Sequence, residues 1–205
     1  MTVSMTSLVG AAAVASSLLF VWPQVLRLAR THDADGISIV TTLWAMAGFT
    51  LWSAYGVRKG LPAIWIANGQ ALLGFAAVLA LCARWNPPVR RVSLLVIVEG
   101  ALLALLGTRV PVDAIGICAI VVGATSFVPQ AVVAWRTADV SGVSVATYVL
   151  LSISATLWAV YGVLRRDPIV VAPNLLIVPT AVLVAVRAAA SRVDPTGIQI
   201  AVENT

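Results

Sequence analysis

Residues 20–39 have the sequence FVWPQVLRLARTHDADGISI, and residues 126–145 have the sequence SFVPQAVVAWRTADVSGVSV. Each stretch places a Pro-Gln pair inside an apolar run and continues with R-T-x-D-x-x-G-x-S. A proline inside a helix removes one backbone hydrogen bond and bends the helix, so it is rarely repeated without a reason. The two stretches therefore indicate an internal duplication that includes a helix bend.

The duplication extends well beyond these stretches. When the chain is displaced by 106 residues, 16 of the 46 positions between 23 and 68 are identical to their counterparts, without a gap. Lipid-facing helices resemble one another in their apolar residues, but these matches include Pro, Gln, Asp, Gly, Trp, Tyr and Asn. A shared hydrophobic composition does not explain such matches, so the chain contains two copies of one structural unit.

The composition indicates an integral membrane protein. Of the 205 residues, 60% are hydrophobic and 10% are charged, whereas soluble domains carry about 25% charged residues. The formal net charge is +5, but the 13 Lys and Arg residues occur singly or in pairs between apolar runs. Because no basic stripe is present, we expect the lipid bilayer as the surrounding medium and no nucleic-acid partner.

Seven apolar segments are each about long enough to cross a bilayer, which requires about 20 residues. Three belong to the first copy and three to the second, and one segment without a counterpart lies between them. The predicted spans are 7–29, 38–57 and 61–83, then 92–108, then 113–134, 143–164 and 168–189. The fold class is thus an all-α membrane protein with seven transmembrane helices.

The span count determines how the two copies are oriented. Two copies of three spans would point in opposite directions if joined directly, and the additional helix restores a parallel arrangement. We therefore predict a first triple-helix bundle at 1–90, a linker helix at 91–110, a second bundle at 111–190 and a polar cytoplasmic tail at 191–205. Parallel repeats are related by an axis along the membrane normal, where a central pathway is expected.

The distribution of cations gives the expected orientation. With the N-terminus outside, eight arginines lie on the cytoplasmic side and five Lys or Arg residues lie on the other. By the positive-inside rule this favours an outside N-terminus and a cytoplasmic C-terminus in the plasma (inner) membrane.

Two Trp-Asn pairs are the candidate binding residues. Trp52 and Asn68 each lie eight positions from residue 60, and Trp158 and Asn174 repeat this spacing about residue 166. If each pair belongs to a helical hairpin, all four side chains lie at one depth, on the order of 10 Å from the turns. An aromatic face beside amide donors and acceptors suits a ring with apolar faces and hydroxyl groups, such as a sugar.

The sequence contains no recognisable catalytic, metal or cofactor site. No nucleophile–base set and no Gly-rich phosphate loop is present. Cys82 and Cys118 lie in apolar segments without metal-ligand spacing. Glu99 is the one acidic residue in the interior of a predicted span, and it has no counterpart in either copy. We therefore expect neither an enzyme nor a cofactor.

The sequence resembles the SWEET and SemiSWEET (MtN3/saliva) sugar transporters of the PQ-loop superfamily. The resemblance lies in the Pro-Gln pairs, the R-T-x-D-x-x-G-x-S runs, the L-W-x-x-Y-G signatures and the later asparagines, and it covers roughly residues 7–189. It implies sugar-binding roles for the two Trp-Asn pairs and flexible points in the first helix of each bundle. The implied flexible points are Pro23, Gln24, Pro129 and Gln130.

The resemblance also implies a gate near the outer ends of the bundles. The implied gate residues are Tyr55, Arg58, Tyr161, Arg165 and Asp167, with Lys59 as an alternative to Arg58. Leu61 stands in the first copy where the second has Asp167, so an Arg-Asp latch can form on one side only. The further prolines of full-length relatives are absent from 38–57 and 143–164.

The predicted function is facilitated, alternating-access uniport of a mono- or disaccharide. One alternative is a proton-coupled PQ-loop transporter of an amino acid or cationic metabolite through Glu99 or Asp139; flux insensitive to a pH gradient would contradict it. A second alternative is a non-transporting membrane scaffold or receptor, although the short loops offer little for a partner. The sequence leaves open which sugar is carried, the direction of flux and whether the protein forms a homo-oligomer.

Overall fold

The computed structural model describes residues 4–32, 37, 39–85, 100, 109–136 and 145–193. This part of the chain contains six long helices. They are α1 (Met5–Thr31), α2 (Ile39–Lys59), α3 (Pro62–Trp85), α4 (Val112–Arg136), α5 (Val145–Leu164) and α6 (Pro168–Val193).

The all-helical fold class is confirmed for the described residues. Four segments are long and apolar enough to cross a membrane: Met5–Thr31, Pro62–Arg84, Val145–Leu164 and Pro168–Ala190. Val112–Thr125, within α4, is a shorter apolar segment. The predicted linker span at 92–108 lies outside the described residues, as do the loop residues 33–36 and 137–144.

The helix boundaries differ from the predicted spans by at most four residues. The largest difference is at the end of α6, which continues to Val193 instead of ending at 189. The predicted tail from residue 191 is thus helical in its first three positions, and residues 194–205 lie outside the described part. At the other end, the carbonyl and hydroxyl of Ser4 accept hydrogen bonds from the Ser7 N–H and cap α1.

The first three and the last three helices have the same arrangement. In each half, the third helix packs against both the first and the second: α3 contacts α1 and α2, and α6 contacts α4 and α5. Between the halves, the first helix of each packs on the second helix of the other, giving an α1–α5 and an α2–α4 interface. This exchange of partners is what a two-fold relation between the halves requires.

The α1–α5 interface is antiparallel and has two fixed points. A Cβ built on Gly10 would lie 3.0 Å from Cε2 of Tyr161. Six residues further along α1, the Ser16 and Ser154 hydroxyls are 2.9 Å apart, and both residues are buried. Small residues at such positions let helices approach closely, and the serine pair adds a hydrogen bond between them.

The α2–α4 interface has the same register with different chemistry. Tyr55 packs on Gly116, whose built Cβ would lie 2.8 Å from the tyrosine Cε2. The counterparts of the serine pair are Gly48 and Val122, where a built glycine Cβ would lie 3.4 Å from the valine Cγ1. A hydrogen bond in one interface is thus replaced by a van der Waals contact in the other.

The turn between α2 and α3 ends α2 in a left-handed residue. Gly60 has φ 65°, the Leu61 N–H donates to the Gly56 carbonyl at 2.8 Å, and the Gly60 N–H donates to the Val57 carbonyl at 3.2 Å. These bonds form a Schellman motif, in which glycine tolerates the left-handed conformation without steric cost.

The turn between α5 and α6 repeats this geometry without a glycine. Arg166 has φ 53°, and the Asp167 N–H donates to the Gly162 carbonyl at 2.9 Å. Arg165 also donates to the Gly60 carbonyl at 3.3 Å, so the two turns lie together. We call this end of the molecule the hairpin end. Because equivalent turns meet there, the two halves run in the same direction.

Two buried clusters form the core of the described residues. One lies within the first half, between α1 and α3, and contains Val21, Val25, Leu28, Ala71, Val78 and Cys82. The other joins the halves near the hairpin end and contains Tyr55, Leu61, Ile64, Ile115, Tyr161 and Val170.

Candidate functional site

A cavity of about 440 Å³ lies between the two halves, and Trp52, Asn68, Trp158 and Asn174 all line it. The structure thus brings together the four residues that the internal repeat singles out. The rest of the lining is apolar or small: Phe49, Ile64, Ala119, Ile120, Gly123, Ala124, Val170, Ala172, Pro173, Leu176 and Ile177. No ionisable side chain is among these described lining residues.

The two asparagines are held in the same way. Nδ2 of Asn68 donates to the Ile64 carbonyl at 2.8 Å, and Nδ2 of Asn174 donates to the Val170 carbonyl at 2.8 Å. A carbonyl can only accept, so each bond requires the amide nitrogen to face the helix. Neither Oδ1 accepts a hydrogen bond from another described residue, so both remain acceptors for a bound molecule.

The two tryptophans are each packed edge-to-face against a tyrosine of their own helix. The ring centroids of Trp52 and Tyr55 are 5.8 Å apart at an interplanar angle of 87°. For Trp158 and Tyr161 the values are 5.7 Å and 85°. T-shaped contacts of this kind stabilise a defined ring orientation. Each tyrosine therefore supports the tryptophan that lines the cavity.

The cavity is covered at the hairpin end by the buried cluster that joins the halves. Tyr55 is fully buried, and Tyr161 and Leu61 are each 3% exposed. Trp52 and Trp158 pack against this cluster from the cavity side. A molecule in the cavity could therefore leave toward the hairpin end only after the tyrosines separate.

A hydrogen bond across the halves accompanies this packing. The Tyr55 hydroxyl lies 2.8 Å from Oδ1 and 2.7 Å from Oδ2 of Asp167. The same carboxylate accepts the backbone N–H groups of Ile169 and Val170 at 3.1 and 3.3 Å, and so caps α6. A buried carboxylate is costly without such partners, and here the tyrosine and the helix N-terminus provide them.

The second tyrosine has no equivalent acceptor. Leu61 occupies the position that corresponds to Asp167, and the Tyr161 hydroxyl makes no hydrogen bond with the described residues. The sequence predicts that an Arg-Asp latch can form on one side only. The structure does place a polar contact on one side, but the group that donates to Asp167 is Tyr55 rather than an arginine.

The cations at the hairpin end make other contacts. Arg58 donates to the Val110 carbonyl, and Arg165 donates to the Gly60 carbonyl. Lys59 forms an ion pair with Asp113 at 2.9 Å, between the end of α2 and the first turn of α4. Sequence reasoning did not identify Asp113, because its counterpart in the first copy is Ser7 and the repeat gives no signal there.

The predicted flexible points are only partly described. Pro23 lies inside α1, which is continuous from Met5 to Thr31, and Gln24 is half-buried. Proline at this position leaves the Leu19 carbonyl without its usual intrahelical donor. Pro129 and Gln130 fall within the bounds of α4, but their side chains lie outside the described part of the chain.

Sequence reasoning also missed Gly10 and Gly116. They are related by the same 106-residue displacement as the rest of the repeat, but they precede the matched stretches, which begin at Pro23 and Pro129. The 106-residue spacing between the two glycines is the signal in the sequence that connects them.

Comparison with protein families gives one match in each half. The family described as "Sugar efflux transporter for intercellular exchange" (MtN3_slv) matches residues 113–186. The family described as "PQ loop repeat" matches residues 5–65. The two matches thus fall on the two copies that the sequence contains.

Individual relatives point to the same families. The chain is similar to the sugar transporter SemiSWEET of Escherichia coli (strain UMEA 3162-1), with 36% identity over 59 residues. That alignment covers 29% of this chain and 66% of the relative, slightly less than two thirds of its length. Among solved structures, the fold is similar to a eukaryotic SWEET transporter determined at 3.7 Å, with a TM-score of 0.73 and 16% identity. That match covers 91% of this chain and 98% of the other.

Proposed function

We propose that this chain is a member of the SWEET and SemiSWEET family of the PQ-loop superfamily and that it transports a mono- or disaccharide by facilitated, alternating-access uniport. Members of this family are multi-pass membrane transporters and not enzymes. The observation that carries the proposal is that both Trp-Asn pairs line one cavity between the two halves.

The chemistry of the cavity supports an uncharged, hydroxyl-bearing substrate. Trp52 and Trp158 offer flat apolar faces, and the Oδ1 atoms of Asn68 and Asn174 offer acceptors to hydroxyl groups. The volume of about 440 Å³ falls in the lower part of the range of small-molecule pockets, roughly 300–1,000 Å³. The described lining contains no carboxylate, so it gives no support to proton coupling.

The packing at the hairpin end supports alternating access. The Tyr55–Asp167 hydrogen bond and the buried tyrosines close one end of the cavity. We propose that the halves separate here in another state, with Arg58, Arg165 and Tyr161 at the same gate and Pro23, Gln24, Pro129 and Gln130 as bending points.

The proposed architecture has seven spans in a three-one-three plan, with the linker helix at 91–110 between bundles at 1–90 and 111–190. We place the hairpin end outside and the C-terminus in the cytoplasm of the plasma (inner) membrane. The support for this orientation is the excess of arginines in the predicted cytoplasmic loops.

Uptake of labelled sugars into vesicles with the reconstituted protein tests the function. We expect Trp52→Ala, Asn68→Ala, Trp158→Ala and Asn174→Ala each to lower uptake by about two- to tenfold, because each removes a stacking face or an acceptor worth about 0.5–1.5 kcal/mol. Trp65→Ala is the matched control, since Trp65 is 44% exposed and does not line the cavity. Unchanged uptake in all four variants would contradict the site.

A further inference from the structure

Two glycines lie under the tyrosines that close the hairpin end. Gly10 on α1 faces Tyr161 of the other half, and Gly116 on α4 faces Tyr55. A Cβ built on Gly10 would lie 3.0 Å from Cε2 of Tyr161, and one built on Gly116 would lie 2.8 Å from Cε2 of Tyr55. Each aromatic ring therefore packs directly on the backbone of a glycine. A side chain at either glycine position would displace the ring.

The two contacts are equivalent in position but unequal in space. The second neighbour of Gly10 is Cβ of Ala63, at 3.1 Å from the built Cβ, whereas the nearest neighbour of Gly116 is Cγ2 of Ile169, at 2.6 Å. Ala63 and Ile169 are themselves related by the 106-residue displacement. The larger isoleucine thus makes the Gly116 contact tighter than its counterpart.

From these contacts we infer that Gly10 and Gly116 are positioning residues for the gate, and that they set how closely the two halves can approach at the hairpin end. A methyl group at Gly116 would have to displace an aromatic ring and a β-branched side chain, and neither can give way by rotating a flexible end. The displacement would weaken the closed state. This inference rests on the proposed alternating-access mechanism.

The test measures access to the cavity from the hairpin side. In a background in which Cys82 and Cys118 are replaced by alanine, the reporter is Val170→Cys, because Val170 is 3% exposed and lines the cavity beneath the tyrosines. A membrane-impermeant maleimide is added to right-side-out and to inside-out vesicles, so that labelling from the two sides is measured separately.

We expect Gly116→Ala to raise the labelling rate from the hairpin side by about tenfold, since in a two-state equilibrium about 1.4 kcal/mol changes the open-to-closed ratio by that factor. Gly10→Ala should raise it less. Gly69→Ala is the control, because a Cβ at Gly69 would meet no atom within 4 Å, and it should leave the rate unchanged. A folded Gly116→Ala protein that labels like the parent would overturn the inference.

A rescue variant separates this effect from general damage to the fold. Replacing Ile169 by alanine in Gly116→Ala gives position 116 the surroundings that Gly10 has, so the labelling rate should fall to near that of Gly10→Ala. The variant Ile169→Ala alone gives the reference rate for this double variant. If the labelling rate of the double variant stays as far above that reference as Gly116→Ala is above the parent, the inference is contradicted. If Gly116→Ala cannot be recovered as folded protein, the test uses Gly10→Ala and the double variant Gly10→Ala/Ala63→Ile. The inference then requires that Val170→Cys is labelled faster in the double variant than in Gly10→Ala.

The labelling requires no sugar, so the inference about Gly10 and Gly116 can fail without the failure of the proposed sugar transport. A labelling shift in a protein that takes up no sugar would support the positioning role and contradict sugar transport. Normal labelling in a protein that does take up sugar would contradict only the positioning role.

Discussion

Asn68 and Asn174 show how one residue serves both its helix and the cavity. Each amide nitrogen is bonded to the carbonyl four residues earlier, which fixes the side chain and leaves the amide oxygen as an acceptor. An unpaired amide in an apolar cavity would be costly, so the internal bond stabilises the empty state. In the proposed function, a substrate hydroxyl would gain a hydrogen bond to Oδ1 without first breaking the internal bond of Nδ2.

At the same scale, Tyr55 and Tyr161 are chemically unequal. Tyr55→Phe removes the donor to Asp167, a carboxylate that is 7% exposed. The two backbone N–H groups remain bonded to it, so we expect a loss of about 1 kcal/mol in the free energy of unfolding, the lower part of the usual range for an unsatisfied buried acceptor. Thermal unfolding in detergent measures this loss.

Tyr161→Phe is the matched comparison for Tyr55→Phe. Its hydroxyl makes no hydrogen bond with the described residues, so the change in the free energy of unfolding should be clearly smaller. Equal losses for the two variants would show that the contact with Asp167 does not stabilise the closed hairpin end.

At the scale of elements, the two helical hairpins use one turn geometry with different residues. Gly60 and Arg166 occupy equivalent left-handed positions, with φ of 65° and 53°. For a residue with a Cβ this conformation costs roughly 1–2 kcal/mol. The hydrogen bonds of the second turn and the bond from Arg165 to the Gly60 carbonyl hold Arg166 in place despite that cost.

This difference predicts opposite effects of two turn substitutions. Arg166→Gly should raise the free energy of unfolding by up to about 1 kcal/mol, because the strain is removed while the unfolded chain gains some freedom. Gly60→Ala should lower the free energy of unfolding by a similar amount. Nothing lies within 4 Å of the added Cβ, so the cost comes only from the left-handed backbone conformation. Thermal unfolding of both variants measures this, and changes of the same sign would contradict the account.

At the scale of the whole molecule, the two halves are equivalent in geometry and unequal in chemistry. Both inter-half interfaces have the same register, but the serine pair belongs to one, whereas the Lys59–Asp113 ion pair belongs to the other. The Trp44–Thr125 hydrogen bond, at 3.1 Å, also lies in the α2–α4 interface. Of these three side-chain contacts between described residues, two therefore lie in the α2–α4 interface and one lies in the α1–α5 interface.

The parallel halves predict the membrane topology. α1 and α4 begin at the same end. If all three helices of each half cross the membrane, as proposed, the first half ends on the opposite side and one further crossing must connect the halves. Single cysteines introduced at Ser4 and at Thr205, in a background without Cys82 and Cys118, should therefore be labelled from opposite sides of the membrane. Labelling from the same side would exclude the linker span at 92–108 and the seven-span plan with it.

Much of the fold follows from the sequence, because its determinants are local or repeated. Apolar runs of about 20 residues favour spanning helices wherever they occur. Each of the six described helices starts within two residues of the start of its predicted span. The cavity residues could be selected because Trp52, Asn68 and their counterparts keep one spacing from two turns. Regular helix geometry converts equal spacing into equal depth.

The contacts between the halves were decided only by the tertiary structure. Nothing in the sequence near Asp167 identifies Tyr55, 112 residues away, as the donor to its carboxylate, and the pairing of Gly116 with Tyr55 depends on which helix of the second half lies beside α2. Such contacts depend on the exchange of first and second helices across the pseudo-two-fold axis. Sequence alone therefore determined the repeated units and their polar residues, while the packing between units determined which of those residues meet.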